Sequence, residues 1–170
     1  WSYRPEQEAF LRHEFGLSFR AAGLAQEEID TRLEAFMGYL GEYLPSLGIT
    51  PDTGAAIETS YGELLRHLAA PFRVHPYALG GRPTVADFGL FAPLYAHLAR
   101  DPVPATKMKL EAPSLYRWTE RMNSWDDDMP EFPTYPRDLP EGDEVPDTLL
   151  PVLAQVAEDY LPELRALVAA

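Results

Sequence analysis

Few residues of this chain are arranged for covalent chemistry. The four histidines, His13, His67, His75 and His97, stand apart, and no two show the His-x-x-x-His spacing that sets two ring nitrogens on one helix face. No metal site is expected from them. Asp126-Asp127-Asp128 has charge enough for calcium, but the alternating ligands and central glycine of a calcium loop are missing. It reads as a solvated acidic turn. Gly80-Gly81 could suggest a phosphate cradle, yet no lysine follows and the acidic Asp87 would oppose an anion. A flexible turn is the better reading. There is no cysteine and no Gly-x-Ser-x-Gly elbow, so no nucleophile with its base can be read and no catalytic residue is predicted. Asp87 is of a type that could act as an acid. Its position three residues after Thr84 already explains it as half of a capping box. Four large aromatics are left as candidates: Trp1, Tyr3, Trp118 and Trp125 could line an apolar pocket or a domain interface, or pack in the core.

The element that must position such groups runs over residues 79–98. Gly80-Gly81 supplies a turn, Thr84 an N-cap hydroxyl for an unpaired first-turn N–H, and Asp87 a carboxylate at the positive end of the helix dipole. Phe88, Leu90, Phe91, Leu94, Tyr95 and Leu98 follow, distributed around the helix instead of along one stripe. The expectation is a central helix over 85–99, buried on most sides and kinked at Pro93.

Around it the periodicity predicts further helices. One runs over 5–15 with Gly16 as its stop. A second covers 26–47, with Ile29, Leu33, Phe36, Met37 and Leu40 on one face. A third begins at Thr50-Pro51 and ends near Ala70. Asp101-Pro102-Val103-Pro104 reads as an exit, followed by one or two turns at 105–110, then a helix from Pro113 to about Asn123. No alternation long enough for a strand appears. Residues 126–146 are acidic and proline-rich, which denies them a regular helix. Residues 147–169 return to a broad apolar face that would be costly to leave in water. The connector should therefore strap this terminal helix onto the body, with Trp125, Phe132 and Tyr135 as anchors.

The 170 residues fit one domain, and 46% hydrophobic content suffices for a sizeable core. A net charge of −13 makes nucleic acid or an anionic membrane a poor partner, and no apolar run approaches the roughly 20 residues of a membrane span. The lack of cysteine fits a reducing compartment, and a cytoplasmic location is expected. A start at Trp1 suggests a piece of something longer.

The Gly-Gly-Arg-Pro-Thr-Val-Ala-Asp turn at 80–87, feeding an apolar helix, resembles the C-terminal all-helical domain of the glutathione S-transferase family. The resemblance extends less sharply to 58–70 and 113–123. It implies an all-α bundle of five to six main helices over 1–170, with a core at 1–125, a connector at 126–146 and the terminal helix at 147–169 packed on the core. It also implies that this domain supplies much of the wall of the electrophile pocket and helps build a dimer. The glutathione-binding, thioredoxin-like N-terminal domain, with its activating residue, would be a partner in the same protein but outside this chain. On that basis glutathione is a co-substrate of the full-length protein, no cofactor belongs to this chain, and the chain alone is inactive. The alternative is a non-catalytic interaction or dimerisation module of the same family; an unrelated helical bundle is a third.

Overall fold

The computed structural model describes residues 5–124 and 129–169. Among these the architecture is all-helical, with no strand. Eight α-helices follow in order: α1 Pro5–Ala21, α2 Gln26–Tyr43, α3 Gly54–Ala69, the one-turn α4 Pro71–Val74, α5 Val85–Pro93, α6 Pro102–Glu111, α7 Pro113–Met122 and α8 Leu150–Ala169. Trp1, Tyr3, Trp125 and the acidic run Asp126–Asp128 lie outside the described residues.

The helix count exceeds the expected five to six main elements because α6 is a full ten-residue helix. Pro102 and Pro104 read in the sequence as breakers. In the structure both fall in the first turn of α6, where a missing N–H costs nothing and a fixed φ helps. The α1 boundary differs for a related reason. The helix runs through Gly16, which is buried, and stops at Ala21, with Gly23 closing the turn at φ 74°. Packing against α2, including an edge-to-face contact between Phe15 and Phe36 at 4.8 Å, outweighs the weak helix preference of one glycine.

The core lies between α3, α4, α5 and α7. Leu65, Leu68, Phe72, Leu115 and Trp118 fill it, and Met108 of α6 and Leu94 close its far side. The α1–α2 hairpin attaches through Gln7, which is fully buried. Its Oε1 accepts from the Val103 N–H at 2.9 Å, so a side chain from α1 caps the first turn of α6.

The expectation of a central helix buried on most sides is not met. Asp87 and Leu94 are buried, but Val85 is 89% and Phe88 60% exposed. The neighbouring α7 covers one flank only, and the small residues Gly89 and Ala92 continue the open side. Past Pro93 the chain widens into a five-residue π segment, Leu94–Leu98, whose Ala99 N–H reaches the Leu94 carbonyl at 2.6 Å. Pro93 cannot donate to the turn before it, and the looser turn is the form the kink takes.

From Met129 to Pro146 the chain is irregular apart from a 3-10 turn at Glu141–Asp143. Phe132 packs against the core, and α8 begins directly after the turn Asp147–Leu149. Leu149 and Val152 enter the core, and Gln155 bridges to α3, accepting from His67 Nδ1 at 2.8 Å and donating to the Ser60 carbonyl at 3.0 Å.

Candidate functional site

Three parts of the chain converge on the Asp87 carboxylate. Asp87 is fully buried at the third position of α5. Its Oδ2 accepts from the Thr84 N–H at 2.9 Å and from the Thr84 hydroxyl at 2.9 Å, within a reciprocal capping box. Its Oδ1 accepts from the Ala78 N–H at 2.8 Å and from Trp118 Nε1 at 3.0 Å. One carboxylate thus ties the start of α5 to the turn before it and to α7. With four donors directed at it, no lone pair is left to accept a proton from a substrate, and no solvent path reaches it. The geometry makes it a structural hub.

Trp118 is fully buried, stacked on Phe72 at 4.7 Å and edge-on to Phe91 at 6.3 Å. It presents no surface to a ligand and belongs to the core. The other three aromatics singled out in the sequence, Trp1, Tyr3 and Trp125, lie outside the described residues.

The turn held by Asp87 is closed by mutual bonds between Tyr77 and Gly80 at 3.1 and 3.2 Å. Across it passes the segment 136–140. The Gly81 N–H donates to the Asp138 carbonyl at 3.1 Å, and a Cβ on Gly81 would lie 1.8 Å from the Pro136 carbonyl oxygen. Gly80 carries a φ of 127°, which L side chains rarely adopt. The two glycines serve less as a hinge than as a flat surface on which the backbone of 136–140 can lie, since a Cβ at Gly80 would also come within 3.1 Å of the Asp138 carbonyl oxygen.

The same segment is fastened at two further points. The buried Arg121 donates to the Pro76 carbonyl at 2.8 Å and to Glu131 at 3.0 Å, and lies over the Phe132 ring at 5.3 Å. Arg117 also pairs with Glu131. Burial pushes the Glu131 carboxyl up, but its backbone hydrogen bond and the two guanidinium groups outweigh that and hold it below the usual carboxylate range. The second fastening is a hydrogen bond between His75 Nδ1 and the Tyr135 hydroxyl. Partial burial lowers the His75 pKa and raises that of Tyr135, so both stay neutral and the phenol can donate to the unprotonated ring nitrogen. Neither Gly81 nor Arg121 was visible as a site residue in the sequence. Only a glycine doublet beside a proline-rich acidic stretch hinted at the first.

Open space lies elsewhere. A cleft of about 550 Å³ opens where α2 ends and α3 begins, walled mainly by the apolar Leu44, Pro45, Ile49, Pro51 and Ala55. A more polar cleft of about 640 Å³ runs between α3 and α6, with Arg66, Lys107 and Glu111 on its rim. Ala55 and Glu58 line both, so the two adjoin across the first turns of α3. The first can hold a small apolar body with a polar edge toward Glu58. Among the described residues no group of three or more His, Cys, Asp or Glu could hold a metal ion, and no helix is long and apolar enough to cross a membrane.

No curated protein and no solved structure matches the chain significantly. A family model does: residues 55–126 match the one described as Glutathione S-transferase, C-terminal domain. The matched segment runs from the first turn of α3 past the end of α7 and contains the Asp87 hub with all its partners. Over that segment, which is less than half of the chain, the protein is similar to the C-terminal domain of glutathione S-transferases, and the all-helical fold around it agrees with that likeness.

Proposed function

We propose that this chain is the C-terminal domain of a glutathione transferase-like protein. In that role it supplies a wall of the pocket for the electrophilic second substrate, while a thioredoxin-like domain of the same protein holds glutathione. The observation that carries the reading is the family match over α3–α7. The apolar cleft at Leu44 and Ile49 supports it, because an electrophile such as an aryl halide needs an apolar wall and few fixed polar groups. Activating the glutathione sulfur requires a donor placed beside it; this chain has no cysteine, and in this reading the donor belongs to the thioredoxin-like domain. The chain by itself should therefore be inactive. A cytoplasmic location, where glutathione is abundant and thiols stay reduced, is part of the same reading.

The test is a conjugation assay with glutathione and an aryl halide. The purified chain alone should match the buffer blank, and the chain joined to its thioredoxin-like domain should turn over. A Leu44→Glu change in the joined protein should then raise KM for the electrophile and leave that for glutathione unchanged. Turnover that follows the isolated chain through purification would refute the division of labour.

A second reading, a non-catalytic interaction module, is favoured by one observation: the long apolar stripe that α8 leaves uncovered. The joined protein separates the two readings, since a module would stay inactive with the thioredoxin-like domain attached.

A further inference from the structure

One side of α8 is held to the body, by Val152 and by polar bonds from Gln155 and Asp159, and most of its apolar side chains lie elsewhere on the helix. Leu149 and Val152 enter the core and Asp159 accepts from the Ser60 hydroxyl at 3.1 Å, which fixes the side turned toward α3. Roughly 135° around the helix, by the 100° step per residue, run Leu150, Leu153, Ala157, Tyr160, Leu164 and Leu167. Their spacing is three, four, three, four, three, the repeat of a helix–helix seam. Leu150, Leu153 and Tyr160 are half exposed and Leu167 is 66% exposed. Val156, Leu161 and Val168 widen the stripe and are exposed too. Large apolar side chains scattered singly on a surface are ordinary; this many on one face of one helix is not.

We propose that this face pairs with itself: two copies of the chain associate through antiparallel α8 helices about a two-fold axis between Glu158 and Asp159. The inference is independent of the glutathione reading and needs only α8. Self-pairing is favoured over another partner because the stripe is self-complementary in that arrangement. The two-fold sets Leu150 against Leu167 of the second copy, Leu153 against Leu164, and the small Ala157 against the large Tyr160. A parallel pairing would oppose Ala157 to Ala157 and Tyr160 to Tyr160, leaving a gap beside a clash. Charge agrees. Glu158, Asp159 and Arg165 lie off the seam, and Glu163, which flanks it, falls beside the second copy's Ala154 and not beside another Glu163. The opposed helix dipoles also attract. At about half exposure these side chains offer on the order of 600 Å² of apolar surface per copy, close to the roughly 800 Å² that a standard specific interface buries on each side.

Sedimentation equilibrium on the full chain tests this. The wild type should show twice the mass of one chain at tens of micromolar, and Leu153→Glu and Leu164→Lys should each be monomeric with an unchanged helical circular dichroism signal. Mixed in equal amounts, the two variants should regain the dimer, because the antiparallel register brings the new acid of one against the new base of the other. A monomeric wild type overturns the proposal, as does a wild-type dimer that both variants retain. A dimer lost in both variants and not regained on mixing overturns the antiparallel register. An α8 that binds only the thioredoxin-like domain, with the chain monomeric on its own, assigns the stripe to that domain and also overturns it.

Discussion

Trp118 Nε1 donates to Asp87 Oδ1 at 3.0 Å, and both residues are fully buried. This bond joins the middle of α7 to the first turn of α5, and the same oxygen receives the Ala78 N–H. The carboxylate is therefore more than a cap. Thr84→Ala removes one donor to Asp87 and the cap hydroxyl, and should lower stability by about 1 kcal/mol. Asp87→Ala leaves the Trp118 and Ala78 donors buried without acceptors, at about 1–3 kcal/mol each, and should cost several times more than the Thr84 change. Denaturant midpoints measure both. Equal losses would mean that the hub contributes nothing beyond capping.

The glycine doublet makes a sharper prediction. A methyl group at Gly81 would overlap the Pro136 carbonyl, whose backbone cannot retreat without breaking the bond from the Gly81 N–H to Asp138. Gly81→Ala should destabilise by about 2 kcal/mol or more and speed amide exchange across residues 136–146. Gly89→Ala is the control. It lies within α5 with open space around it, and should stabilise by about 0.5–1 kcal/mol. If the two substitutions behave alike, the segment does not rest on Gly81.

How much of this was legible in the sequence follows the range of the interactions. The helix start at Val85 was readable because capping is decided within four residues. The all-helical class was readable because apolar spacing is a local pattern. The start of α6 was misread because the same two prolines that break a helix interior are welcome in its first turn. The roles of Gly81, Arg121 and Gln7 were not readable. Each depends on a partner 45 or more residues away, and no local pattern announces a buried arginine or a glycine under a crossing backbone. Nor did apolar content say which faces would find cover. Phe88 and Val85 are as apolar as Leu94, and only the placement of α7 decides that they stay in water.

Two titrating fastenings hold the segment 129–146, and both weaken in acid. His75 has its pKa lowered by burial, so in the unfolded chain it takes up a proton near pH 6.5 that the folded chain resists. That contribution is present above about pH 6.5 and falls as the pH drops below it. Glu131, held low by its backbone bond, Arg121 and Arg117 against the opposing effect of burial, contributes stability above the ordinary carboxylate pKa of about 4.3 and loses it as the pH falls through its lower folded value. Tyr135→Phe should thus cost more at pH 7.5 than at pH 5.5, and Glu131→Gln more at pH 7 than at pH 3. Pairs of denaturant midpoints at each pH read this out. A Glu131→Gln penalty that is flat with pH would show that the ion pairs do not fasten the segment.

Protection along α8 should be graded. Its first turns are held by Leu149, Val152 and the Gln155 bridge, whereas Tyr160 and the residues after it lack comparable burial, and Leu167 and Val168 stand largely in solvent. Pro162 deepens the asymmetry, since it has no N–H to give to the Glu158 carbonyl and weakens the ladder at the point where tertiary support ends. In hydrogen exchange at low micromolar concentration, amides at 152–156 should outlast those at 163–169. Marginal helices gain most from packing, so raising the concentration should slow exchange chiefly in the second half, where self-pairing would supply the missing support. Uniform protection at every concentration would mean that α8 is held along its whole length by its own chain, and that the stripe on its far side is not needed to order it.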